Sequence, residues 1–112
     1  MHHADLTDYV QFSEDGPERH TVFESERLWS QVIALGRNQT YGPVGDSEAD
    51  AMLTVVVGEV VFIVDKKRKR MAQWGAVLVP AGAELIITNA SADPSVILVV
   101  TAPPPAANPA AG

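Results

Sequence analysis

The feature that most constrains this chain is the run L-T-V-V-V-G-E-V-V-F-I-V, residues 53–64. It is long enough to be mistaken for a buried helix. Its β-branched residues are stiff at χ1 and fit a pleated surface better than a helix. Gly58 and Glu59 interrupt it near its centre, so the run predicts two strands meeting at a kink or tight corner. A helical period of useful length is absent from the chain, and similar short apolar segments recur along it. The strand expectations are 21–24, 28–35, 52–57, 59–64, 76–79, 85–89 and 96–101. Each is rich in Val, Ile, Leu, Phe or Thr and bounded by Gly, Pro, Asp or Asn. A further short strand is expected at 9–12, followed by the turn signal E-D-G-P.

Many short strands in succession indicate an all-β chain folded as an antiparallel β-sandwich or small barrel. Several of these strands are continuously apolar rather than alternating, which implies burial on both faces. One face then lines the barrel and the other meets a second sheet or subunit, so a homodimer is expected. The organisation read from the sequence is an N-terminal arm over 1–19, a barrel over 20–102 and a Pro/Ala tail over 103–112. The tail, ending A-P-P-P-A-A-N-P-A-A-G, has the composition of an unpacked end.

Composition then narrows the function classes. The chain has 112 residues, one ordinary domain, and 46% of them are hydrophobic, enough for a core that needs no metal or disulfide. Without cysteine there are no disulfides, thiol nucleophiles or thiolate metal sites. A net charge of -6 argues against general affinity for nucleic acid or an anionic membrane. The N-terminus M-H-H-A-D-L-T-D lacks the pattern of a secretory signal, so a cytoplasmic protein is the expectation. The basic run D-K-K-R-K-R, residues 65–70, carries five of the eight Lys and Arg residues. It reads as a charged hairpin tip that keeps a β-edge from aggregating rather than as a phosphate contact. N-Q-T at Asn38 and N-A-S at Asn89 match glycosylation sequons without a secretory context to use them.

The landmarks fall in a particular order. G-R-N-Q-T-Y-G-P-V comes first, then E-A-D-A-M-L-T-V-V-V-G-E-V, then a hairpin. Q-W-G-A-V-L-V-P-A-G-A-E-L-I-I-T-N and D-P-S-V-I-L-V-V-T-A-P follow. From about Thr21 to Pro103 this resembles a single-domain cupin. V-V-V-G-E-V is similar to the family's strand end V-L-x-G-E, and W-G-A-V-L-V-P-A-G to its G-D-x-V-x-V-P-A-G. Pro80 to Asn89 fits the spacing of its second motif, P-x4-H-x3-N. The resemblance implies a jelly-roll barrel, usually dimeric, with a cavity between its sheets. Many members hold Fe, Mn, Ni or Zn on a His-x-His pair, a Glu and a last His. Their roles run from dioxygenases, isomerases, epimerases and cyclases to seed storage and effector binding, so fold does not settle function.

Carried over residue by residue, that ligand set is missing. The last His position falls on Leu85, the Glu position on Ala51, and the His-x-His pair near Gly42 and Val44. No histidine follows His20. A catalytic Fe or Zn site wants imidazole with carboxylate, and Asp46, Glu48 and Asp50 alone read as a solvated loop. No metal and no cofactor are therefore expected. His20 reads as a surface side chain beside Arg19 rather than as a base on the barrel rim.

Strand parity nominates the cavity lining. If Ala51 points inward, so do Leu53, Val55 and Val57, and Leu85 brings Ile87 with it. Gln31 and Tyr41 are the nearest polar candidates, and Trp29 and Trp74 could form a wall or an interface. The expected cavity residues are thus Gln31, Tyr41, Leu53, Val55, Leu85 and Ile87. The function expected is a metal-free cupin-fold module that binds a small apolar or aromatic ligand or serves dimerisation. The alternative is a metal-independent isomerase, epimerase or cyclase, for which Tyr41 with Glu48 or Asp50 is the candidate acid–base pairing.

Overall fold

The computed structural model describes residues 1–104, and most of the expected Pro/Ala tail lies outside the described residues. Nine strands run in the order β1 (Glu18–Glu24), β2 (Trp29–Leu35), β3 (Thr40–Val44), β4 (Asp50–Val57), β5 (Glu59–Val64), β6 (Lys67–Ala72), β7 (Ala76–Val79), β8 (Leu85–Thr88) and β9 (Ser95–Ala102). They form two antiparallel sheets. One has the order β1-β2-β9-β4-β7 and the other β3-β8-β5-β6. The core lies between them, where Ile33, Leu35, Leu53, Val55, Phe62, Ile87 and Ile97 are almost fully buried. Each such side chain contributes roughly 1.5–3 kcal/mol by leaving water.

Residues 53–64 fold as two strands meeting at a corner, as expected. β4 belongs to the five-stranded sheet and β5 to the four-stranded one, and Gly58 is the corner between them. Its φ is 87°, and an added Cβ would lie 2.8 Å from the Pro94 carbonyl oxygen and 3.0 Å from Ser95 Cα. Only glycine fits there. The stretch after β7 is equally explicit. The Ala83 amide donates to the Pro80 carbonyl at 3.0 Å, with Gly82 at φ 87°, so residues 80–83 form a turn whose third position needs positive φ. Asp50 Oδ1 accepts from the Ala81 amide at 2.8 Å, and the Asp46 carbonyl accepts from the Gly82 amide at 2.8 Å.

Asn89 closes that stretch with no exposed surface. Its Nδ2 donates to the carbonyls of Leu35 (3.0 Å), Gly36 (3.1 Å) and Asp93 (2.8 Å). Its Oδ1 accepts from the Ser91 amide and hydroxyl. One side chain thus ties the end of β2 to the approach to β9. Beside it, the Gln39 side chain accepts from the Gly36 amide and donates to the Ser13 carbonyl, which pins the N-terminal arm.

Three expectations need correction, and one strand lies where none is expected. Residues 9–12 are not a strand. A short 3-10 turn occupies Leu6–Tyr9, capped by Asp5, whose Oδ1 accepts from the Thr7 amide and hydroxyl. Those bonds hold the Asp5 carboxyl below its usual range. The basic run is not a hairpin tip but the edge strand β6 itself. Its turn is Asp65–Lys66, both at positive φ, as a two-residue hairpin of mirror-image type requires. Arg70 pairs with Glu59 at 3.0 Å, and charge along this free edge opposes pairing with another sheet. β3 was missed because Gly42 and Pro43, joined by a cis peptide bond, interrupt its strand signal. As an edge strand it tolerates both. Val57, finally, does not point inward. A bulge between Val55 and Val57 flips the parity, and Val57 is 48% exposed.

His20 lies opposite Val32 on the outer face of the five-stranded sheet, away from the barrel interior. Its Nε2 makes no hydrogen bond, and the Glu18 carboxylate is 3.8 Å away.

Candidate functional site: a cavity at the open end of the barrel

A cavity of about 340 Å³ opens between the sheets at one end. Its wall is mostly apolar: Ile33, Leu53, Val79, Leu85 and Val99 are joined there by the small residues Ala49 and Ala51. The polar groups are few: Arg19, Trp29, Gln31, Tyr41, Asp46 and Thr101. An apolar chamber with a few placed polar groups is the usual make-up of a small-molecule pocket.

Each group has a local reason for its position. Arg19 and Thr21 alternate inward on β1, opposite Ile33 and Gln31 of β2. Gln31 in turn faces Val99 of β9. Tyr41 sits on β3, the edge of the other sheet, opposite Ile87. Arg19 Nη1 donates to Tyr41 Oη at 2.9 Å, and the guanidinium carbon lies 5.9 Å from the ring centre. That contact bridges the edge strands of the two sheets. Trp29 Nε1 donates to Thr21 Oγ1 at 3.0 Å, so the indole is fixed from behind. Gln31 is 5% exposed, and its Oε1 has no hydrogen-bond partner.

Of the residues expected from the sequence, Gln31, Tyr41, Leu53 and Leu85 line the cavity together. Val55 and Ile87 do not. They lie two residues further along their strands, about 7 Å deeper, where the core is solid and neither has exposed surface. Trp29 is on the wall, while Trp74 sits in the turn before β7, 74% exposed. Glu48 and Asp50 are not on the wall, so the expected pairing with Tyr41 does not form; Arg19 takes that place. Arg19 lies outside the strand expected at 21–24, because β1 begins three residues earlier, at Glu18. Alternation back from Thr21 was the available signal.

The positions that would carry the metal ligands of a cupin can now be tested. Val44, Ala51 and Leu85 line the same cavity, and Gly42 is not on its wall. None of the three has a donor atom, and no group of three His, Cys, Asp or Glu side chains is placed to hold an ion among the described residues. Among the described residues, Asp46 is the one carboxylate on the wall. The donor set does not fit a transition metal.

Comparison with known proteins agrees with the fold. No family model matches the chain, and no curated protein does. Among solved structures, the chain is similar to TT1209 from Thermus thermophilus, with 32% identity, TM-score 0.87, and 92% of this chain and 98% of that one covered. An RmlC-like cupin from Desulfovibrio desulfuricans matches at 21% identity and TM-score 0.84, over 93% of this chain and 98% of the other. An uncharacterized Klebsiella pneumoniae protein with a double-stranded β-helix domain matches at 19% identity and TM-score 0.85, over 89% and 83%. The architecture is therefore the double-stranded β-helix, an antiparallel jelly-roll barrel. The chain's fold is that of the single-domain cupins. Among the described residues, no helix is long and apolar enough to cross a membrane.

Proposed function

We propose that this cupin-fold chain is a metal-independent small-molecule-binding module whose ligand occupies the barrel cavity. The observation that carries the reading is Leu85 and Ala51 on the wall of an apolar cavity of about 340 Å³, where a metal centre would need donors. Affinity then comes from burial of an apolar ligand, with Gln31, Tyr41 and Arg19 fixing its orientation. A fragment screen by ligand-observed NMR, with a chelator present, tests this. Apolar and aromatic fragments should bind, and Ala51→Phe, which fills part of the chamber, should displace them. Binding that requires a divalent metal, or that survives Ala51→Phe, overturns the reading. An isomerase, epimerase or cyclase acting in the same cavity is less well supported. Among the described residues, the titratable groups on the wall are Arg19, Tyr41 and Asp46, and Asp46 Oδ1 accepts from the Glu48 amide.

A second reading, self-association, has its own observation. On the outer face of the five-stranded sheet Met52 lies between Leu78 and Val100, and Thr54 between Ala76 and Leu98. Met52 is 52% exposed and Leu78 65%. These six positions carry no charge in a chain whose net charge is -6. A second copy meets no charged side chain at these positions, so an apolar contact there brings no local like-charge penalty. Analytical ultracentrifugation should give a dimer for the natural chain and a monomer for Leu78→Lys. A monomeric natural chain at micromolar concentration overturns it.

A further inference from the structure

The polar groups at the cavity mouth say more than that something apolar binds. Resting on the cavity reading above, we propose that the site takes a small monocarboxylic acid with an apolar body and a hydroxyl or N–H substituent. The carboxylate sits at Arg19 and Tyr41, and the substituent meets Gln31.

Arg19 is free to meet an anion. Neither ion pair among the described residues involves it. Its guanidinium is instead held by the Tyr41 hydroxyl at 2.9 Å and lies over the ring. That contact spends one N–H and leaves others free. Tyr41 accepts in the bond, so its own O–H hydrogen remains to be donated. Two donors, one cationic, thus face the same place at the mouth of an acidic protein. A planar carboxylate matches a guanidinium fork with a hydroxyl beside it.

Gln31 independently lacks a partner. It is buried, it lies on the cavity wall, and its Oε1 has no partner. Buried polar atoms are nearly always paired. A ligand hydroxyl answers this amide in either orientation of its O and N, and an N–H answers the carbonyl. The apolar part of the wall, Ile33, Leu53, Val79, Leu85 and Val99, takes hydrocarbon.

Asp46 sets the charge and the direction. Among the described residues it is the one wall carboxylate, and its backbone is fixed to Gly82, in the turn after β7. β7 and β1 are opposite edges of one sheet. An anionic end is thus drawn toward Arg19 and repelled from Asp46. One guanidinium against one carboxylate suits a monoanion better than a phosphate dianion.

Calorimetric titration of the full chain at low ionic strength, with two matched sets of probes, tests this. The aromatic set is 3-hydroxybenzoate, 3-hydroxybenzamide and benzoate. The aliphatic set is 3-hydroxybutyrate, 3-hydroxybutyramide and butyrate. In at least one set the hydroxy acid should bind roughly fivefold or more tighter than its carboxamide. Arg19→Gln should erase that preference. Gln31→Met should erase the preference for the hydroxyl and keep the preference for the carboxylate. Gln31→Glu, a second variant at that position, should weaken the acids and spare the carboxamides. The proposal is overturned if acid and carboxamide bind alike, if Arg19→Gln leaves the preference intact, or if none of the six compounds binds. Probes that bind without charge preference and are expelled by Ala51→Phe would leave the cavity reading standing. Probes indifferent to Ala51→Phe would overturn both.

Discussion

Asn89→Ala removes a side chain that is not on the cavity wall, and the effect should nevertheless be large. The amide shares two N–H hydrogens among three carbonyls, at 2.8–3.1 Å. The bond to Leu35 is buried, and those to Gly36 and Asp93 are partly so. Leaving a buried carbonyl unpaired costs about 1–3 kcal/mol, and a partly wet one about 0.5. The expected loss is therefore about 2–4 kcal/mol. Unfolding entropy for a chain this size is roughly 0.2 kcal/mol/K, so Tm should fall by about 8–16 °C. Urea titration should show a lower midpoint at unchanged slope, since the surface exposed on unfolding stays the same. Asn89→Asp keeps the oxygen that serves Ser91 but turns a carboxylate toward three carbonyls, so it should be no more stable than the alanine variant. A loss under about 1 kcal/mol, or an aspartate variant as stable as the natural chain, would refute the reasoning.

Other consequences are as direct. Gly58→Ala should cost more than about 2 kcal/mol, because positive φ and the approach of Ser95 act together, whereas Gly82→Ala has the same φ of 87° with nothing within 4 Å and should cost about 1 kcal/mol; paired urea titrations compare them. Lys66→Gly should raise stability by about 1 kcal/mol in the same assay, since Lys66 holds φ 70° in its hairpin turn. The cap on residues 6–9 should persist above the ordinary carboxylate pKa and be lost as pH falls through the lowered value of Asp5, read from the Thr7 amide resonance in an NMR pH titration.

The fold was legible because its punctuation is local. Gly58, Pro80, Gly82 and Asn89 each meet a backbone requirement that the sequence states by itself. β3 and β6 were obscured because edge strands escape the rules for central ones: one carries Gly42 and Pro43, the other four consecutive basic residues. Half of the cavity was legible through parity from Ala51 and Leu85. Parity says which way a side chain points but not how far the packed core reaches, so Val55 and Ile87 were placed on a wall that stops at Leu53 and Leu85. Val57 shows the other limit, since a bulge is invisible in a run of valines. Arg19 belongs to a strand whose outward neighbours, Glu18 and His20, are polar too, and it enters the site through a contact with another sheet.

The most direct test of the central claim is a high-resolution crystal structure of tag-free protein as purified, with anomalous data collected for transition metals. The account predicts an open chamber bounded by Leu53, Leu85 and Gln31, density of a light-atom ligand or solvent against the Gln31 amide, and no anomalous peak. A metal peak in the cavity, or a chamber closed by collapse of Leu53 and Leu85 onto Ala51, would contradict it.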